Sequence, residues 1–100
     1  MDHYYYVYMV LCDDGSYYTG ITNNVERRAA EHNEGLDPRC YTFTRRPVRL
    51  VYASEFHEVD EAIRFEKQLK GWSRKKKAAL VRGDWSEIET IAREIRPLRR

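Results

Sequence analysis

Hydrophobic and polar positions change their period along the chain, and the changes divide it into seven elements. Tyr4 to Cys12 is an aromatic and β-branched run without polar alternation, which predicts a strand buried on both faces. It ends at Asp13-Asp14-Gly15-Ser16, a hairpin signal because glycine tolerates the positive φ of a tight turn. Tyr17 to Thr22 is the return strand. Asn23 or Asn24 then caps a helix that runs to about Asn33 and stops at Gly35. Within it, Val25 with Ala29 and Arg28 with His32 make adjacent apolar and polar stripes.

Leu36 to Pro47 shows no period and reads as irregular, and Val48 to Phe56 predicts a third strand. Val59, Ala62, Ile63, Phe65 and Leu69 recur at helical spacing and predict a helix over Val59 to Lys70, closed by Gly71. Ser73 caps a third, basic helix with Leu80 and Val81 as its apolar contacts, ending at Gly83. A fourth starts near Asp84 or Ser86, carries Trp85, Ile88, Ile91, Ala92 and Ile95 on one stripe, and ends at Pro97. The order β-β-α-β-α-α-α predicts an α/β chain of the α+β type, a small three-stranded, mainly antiparallel sheet flanked by helices. Residues 1–83 form the main domain in this reading, and 84–100 a C-terminal helix packed on it with a short basic tail.

At 100 residues the chain supports one hydrophobic core, and 42% hydrophobic residues suffice to build it without disulfides or a structural metal. Cys12 and Cys40 lack CxxC spacing and are read as reduced. No apolar run reaches membrane-spanning length and no signal-peptide pattern opens the chain, so a cytoplasmic protein without a membrane partner is expected. The net charge of +2 conceals a strong division. Arg64 to Arg82 holds eight basic residues and one acidic, Arg39 to Arg49 adds four more positives, and the remainder carries −9. No GxGxxG, P-loop, zincin histidine pair or nucleophile elbow is present, which argues against dinucleotide and triphosphate chemistry by those routes.

Four features exceed what a core requires. Glu66 lies beside the apolar stripe of its helix, where an unpaired carboxylate is costly. It either pairs with Lys70 one turn on or offers oxygen to a divalent cation. Arg28 and His32 either clamp a phosphate or, for Arg28, meet solvent or Glu31. Tyrosines crowd the first fifth of the chain as packing or as chemistry, with Tyr6 and Tyr8 on one strand face and Tyr5 on the other. The run Arg74, Lys75, Lys76, Lys77, preceded by Lys67, Lys70 and Trp72, is either a solvated helix face or a phosphate-backbone contact.

Taken in order, these features resemble the GIY-YIG nuclease domain. Tyr6-Val7-Tyr8 matches its first motif, Tyr18-Thr19-Gly20 its second, Arg28 falls eight residues after Gly20, and Glu66 lies within Ala62 to Lys70 at the place of the family's helical glutamate. The stretches from Arg28 to Asn33, from Tyr41 to Val48, and Leu69-Lys70-Gly71-Trp72 resemble the small stand-alone bacterial subgroup, and the likeness covers about residues 4 to 82. It implies a divalent-metal-dependent endonuclease cutting DNA in repair or recombination, with one Mg²⁺ or Mn²⁺ held by Glu66. In that scheme Arg28 stabilises charge on the scissile phosphate and Tyr8 takes or relays the proton of the attacking water. Tyr18 positions water or phosphate, His32 stands near the phosphate, and Gly20 lets the backbone approach the substrate.

Tyr6 and Thr19 depart from the motif tolerably, whereas Ile21 stands where several active relatives carry a basic residue. That departure motivates an alternative, a non-catalytic nucleic-acid-binding module on the same fold. Arg45, Arg46, Lys70, Arg74, Lys75, Lys76 and Lys77 are the residues expected to grip DNA, branched or single-stranded, with RNA an alternative. Binding is expected to be weak and salt-sensitive. A protein partner is an expected source of specificity, a third reading is a small interaction protein whose helix with Trp85, Ile88, Ile91 and Ile95 binds another protein, and a monomer is favoured over a dimer.

Overall fold

The computed structural model describes residues 4–89. Its elements are β1 (Tyr5–Leu11), β2 (Tyr17–Thr22), α1 (Val25–Glu34), a 3-10 turn (Phe43–Arg45), β3 (Arg49–Phe56), α2 (Val59–Lys70) and α3 (Arg74–Arg82). Residues 85–89 begin a further helix. The expected positions Ile91, Ala92, Ile95 and Pro97 lie outside the described residues. Within the described part, Ile88 is buried and Trp85 is exposed.

The sheet order is β2-β1-β3, and both pairings are antiparallel. Central position explains the unbroken apolar run of β1: Val7, Tyr8, Met9 and Val10 are all buried, because successive side chains enter two different cores. Val7 and Met9 pack with Ala62 and Leu69 of α2, Ala79 and Leu80 of α3, and Ile88. Tyr8 and Val10 pack with Cys12 and Val48 on the other face, joined by Tyr18 and by Val25 of α1. A register shift between Met9 and Val10 marks a bulge against β3.

Local chemistry sets the ends of the elements. The β1–β2 hairpin turns at Gly15, whose φ of 86° favours glycine. Asn24 Oδ1 accepts from the Arg27 amide at 3.0 Å and starts α1, and Ser73 Oγ accepts from the Lys76 amide at 3.1 Å and starts α3. Asn33 fastens α1 to the sheet by donating Nδ2–H to the Val48 carbonyl at 2.9 Å and accepting the Val48 amide at 2.6 Å. This clasp holds α1 against β1 and β3, with the His32 ring towards Tyr8 and Tyr18.

Candidate active site

The site grows from the register of the hairpin. Tyr8 pairs with Gly20 and Val10 with Tyr18, and cross-strand partners share a face, so both motif tyrosines look towards α1. A Cβ on Gly20 would lie 2.6 Å from Tyr8 Oη, 2.8 Å from Cζ and 2.9 Å from Cε1. Gly20 is therefore glycine because the Tyr8 ring lies across it. The sequence assigned that space to an approaching substrate; in the structure the space belongs to Tyr8.

Tyr8 is 1% and His32 3% exposed, and their side chains meet at 2.8 Å from Oη to Nε2. On the far side of the ring, His32 Nδ1 is 2.7 Å from Thr42 Oγ1, and Thr42 Oγ1 donates to Cys40 Sγ at 3.4 Å. A hydroxyl has one proton. With Thr42 donating to sulfur, Nδ1–H donates to Thr42, and Nε2 accepts from the Tyr8 phenol. Burial raises the Tyr8 phenol to about 12 against the opposing pull of the Arg28 guanidinium. Burial, then the Arg28 charge, lowers the His32 pKa and keeps the ring neutral.

The sign of the resulting pH dependence is fixed. Unfolding returns His32 to its ordinary value of 6.5, so below about that pH the unfolded chain takes a proton that the folded ring resists. This contribution to stability is whole above the unfolded value and is lost as pH falls from it to the lower folded value. Urea midpoints measured between about pH 8 and 5 are expected to fall with acid more steeply in the native chain than in His32→Gln. Equal slopes in the two proteins would contradict the assignment.

Arg28 reaches the same cluster from α1. Its Nη1 bonds Glu31 Oε1 at 3.1 Å with the arginine side chain 34% exposed, so the guanidinium is anchored on one side and keeps donors free. Tyr18 is half-buried; its ring packs edge-on to His32 with centroids 5.1 Å apart and stacks on Tyr41 at 6.1 Å with an 18° interplanar angle. Arg45 covers the outer face of Tyr41 with Cζ 3.8 Å from the ring centroid. Burial, and after it the neighbouring Cys40 thiol, raises the Tyr18 phenol while Lys70 and Arg28 pull it down.

Glu66 belongs to the opposite face of the sheet, on α2. Its carboxylate meets Lys70 Nζ at 2.7 Å, the ion pair that the one-turn spacing anticipated. This bond first, and Tyr18 further off, raise the Lys70 pKa. Through Lys70, which is paired with Glu66, a positive charge acts on the Tyr18 phenol. Ile21 packs against the α2 and α3 core. Among the described residues, no group of three or more His, Cys, Asp and Glu side chains is placed to hold a metal. The hard oxygens of Glu66 alone suit a cation of the Mg²⁺ type, which binds through one or two carboxylates and completes its shell with water and substrate phosphate.

The expected DNA-gripping residues divide. Arg45 donates to Asp14 Oδ2 at 3.0 Å and to the Tyr41 carbonyl at 2.7 Å. Arg46 donates to the Phe43 and Asn33 carbonyls at 2.7 and 3.3 Å. Both therefore staple the 39–49 segment to its surroundings. Lys75 is exposed, Lys76 lies 4.2 Å from the Trp72 ring centroid, and Arg74 and Lys77 flank the hairpin turn. Sequence reasoning did not single out Tyr41, Thr42 and Cys40 as site neighbours. An aromatic set among arginines was the available signal for Tyr41, whereas nothing local marks Thr42 or Cys40.

A model of the GIY-YIG catalytic domain matches residues 4–79. A UPF0213 protein of Staphylococcus haemolyticus is 49% identical over 77 residues, 77% of this chain and 93% of that protein. A UPF0213 protein of Halobacterium salinarum is 47% identical over 76 residues, 76% of this chain and 97% of that protein. The solution NMR structure of a UPF0213 protein from Bacillus halodurans is 45% identical, covers 78% of this chain and 82% of that one, and superposes with a TM-score of 0.51. A protein of E. faecalis solved in the same way gives 35% identity, 83% and 90% coverage, and a TM-score of 0.57.

Proposed function

Because the chain belongs to the GIY-YIG nuclease family, whose members generally use divalent metal ions, we propose that it is an endonuclease hydrolysing phosphodiester bonds of DNA with one Mg²⁺ or Mn²⁺ at Glu66. The observation that carries this reading is the meeting of Tyr8, Tyr18, Arg28 and His32 on one sheet face. A divalent ion bound there would lower the pKa of a water molecule and neutralise charge on the phosphate. Arg28, fixed by Glu31 and lying against the Tyr8 oxygen, directs its remaining N–H groups at the charge that develops on the phosphate.

In this reading the two phenols take different roles. Tyr8 stands behind the surface and positions Arg28 and His32 through its hydroxyl, while half-buried Tyr18 presents its oxygen to the attacking water. Tyr18 keeps its proton at neutral pH because burial raises it, and the neighbouring Lys70 and Arg28 charges ease the build-up of negative charge there. His32 is the neutral base behind Tyr8 and acts on the phenol, not on the phosphate.

Cleavage of plasmid, flap and junction DNA is expected with Mg²⁺ or Mn²⁺, to stop with EDTA, and to be absent in Glu66→Ala at unchanged melting temperature. Cleavage surviving in Glu66→Ala would overturn the site. The Glu66–Lys70 ion pair and Ile21 favour a second reading, a binding module without turnover. Salt-dependent binding with no cleavage under any metal would select it.

A further inference from the structure

Beside the hairpin turn lies a cavity of about 170 Å³ walled by Ser16, Tyr17, Arg74 and Lys77. Arg74 is held in place there: its Nε donates to the Gly15 carbonyl at 2.9 Å, and its Cζ lies 5.8 Å from the Tyr17 ring centroid. The terminal guanidinium nitrogens remain for a ligand. Lys77 is half-buried, and burial first, then the charge of Lys70, pulls its pKa down.

Elsewhere the chain neutralises its site cations: Arg28 meets Glu31, Arg45 meets Asp14 and Lys70 meets Glu66. Among the described residues, Arg74 and Lys77 meet no carboxylate. The first turn of α3 also holds no acid, although the helix dipole favours negative charge at that end. An arginine fork fixed by backbone and ring, a half-buried ammonium beside it and a missing acid together describe a place for an external anion of phosphate type.

We propose that Ser16, Tyr17, Arg74 and Lys77 form a second phosphate subsite, which holds a backbone phosphate of the nucleic-acid strand away from the one being cleaved. The inference rests on the proposed nuclease reading for the identity of the strand. The two phosphate positions lie on opposite faces of the edge strand: Tyr17 and Tyr18 are successive residues of β2, the first packed on the α2 and α3 side and the second on the α1 side. A strand crossing this edge meets Arg28 and Tyr18 on one face and Arg74 and Lys77 on the other.

The test measures binding of a fluorescein-labelled DNA duplex and its single strand to the full chain by anisotropy, in EDTA and over a range of salt. Arg74→Ala/Lys77→Ala is expected to bind roughly tenfold more weakly and to lose about one unit of salt slope. Arg64→Ala/Lys67→Ala, which removes the same charge from α2, is expected to shift binding by less than about threefold. Lys77→Gln, which keeps the Arg74–Gly15 tie, is expected to show part of the loss at an unchanged melting temperature. Equal losses in the two double variants, or undiminished binding in the Arg74/Lys77 variant, would overturn the subsite. With Mg²⁺ the same variant is expected to raise KM far more than it lowers kcat. A native chain that binds with this pattern yet never cleaves would leave the subsite standing and remove the nuclease reading; cleavage with indifferent Arg74 and Lys77 would do the reverse.

Discussion

Arg28→Ala is expected to lower kcat/KM for DNA cleavage by about 10²- to 10³-fold, the range seen when one preorganised donor to a developing oxyanion is removed. The fold should not notice the change. The Arg28 and Glu31 side chains are 34% and 31% exposed, and ion pairs of such exposure contribute about 0–1 kcal/mol. Arg28→Lys should recover only part of the rate, because a point charge replaces a fork. A second readout separates electrostatic action from general damage. The Arg28 charge is the second cause of the lowered His32 pKa, so in Arg28→Ala the ring is expected to titrate closer to its ordinary value, as NMR would follow. Cleavage within tenfold of native, or an unmoved His32 titration, would contradict the placement of this guanidinium.

Gly20→Ala is expected to damage stability and catalysis together. The added Cβ would meet the phenol of Tyr8 at 2.6 to 2.9 Å, and that ring is 1% exposed and bonded to His32 at 2.8 Å. The ring yields only by breaking the bond, or the two strands yield by parting. Overpacking of this kind costs about 1–3 kcal/mol, and each kcal/mol lowers the melting temperature of a domain this size by roughly 4–8 °C. The cost should shrink when Tyr8→Leu removes the opposing atoms, which a double-mutant cycle by thermal melting would read as coupling. A Gly20→Ala protein melting with the native one would show that the ring has another place to go.

The elements with local signals were legible in the sequence. Asn24, one of the two expected caps, with Gly35, and Ser73 with Gly83, bracket α1 and α3, and the helical period with the Gly71 stop set the limits of α2 at Val59 and Lys70. The strands differ from expectation only at their ends, where Tyr4, Cys12 and Val48 lie outside the ladders. The strand order was not legible, because it depends on which partner each edge finds. With it went the relative burial of the two phenols: Tyr8 is shielded because β1 is central, and Tyr18 is not because β2 is outermost. The relay from Tyr8 through His32 to Thr42 joins residues separated by 24 and 10 positions. Its last members sit in a segment without period, positioned by the Asn33 clasp at Val48. The Glu66–Lys70 bond follows from helical spacing, but the seat of α2 against the sheet follows from packing of Ala62 and Leu69 in the core.

That edge has a thermodynamic consequence. One half of the candidate site hangs on α1 and the other on α2, on opposite faces of a sheet in which β2 pairs with β1 alone. An outermost strand opens at a lower free energy than the core it borders. Heat or denaturant that loosens β2 is expected to separate Tyr18 from the α2 side, so the competence of the site depends on the pairing of one six-residue strand as well as on the stability of the whole domain.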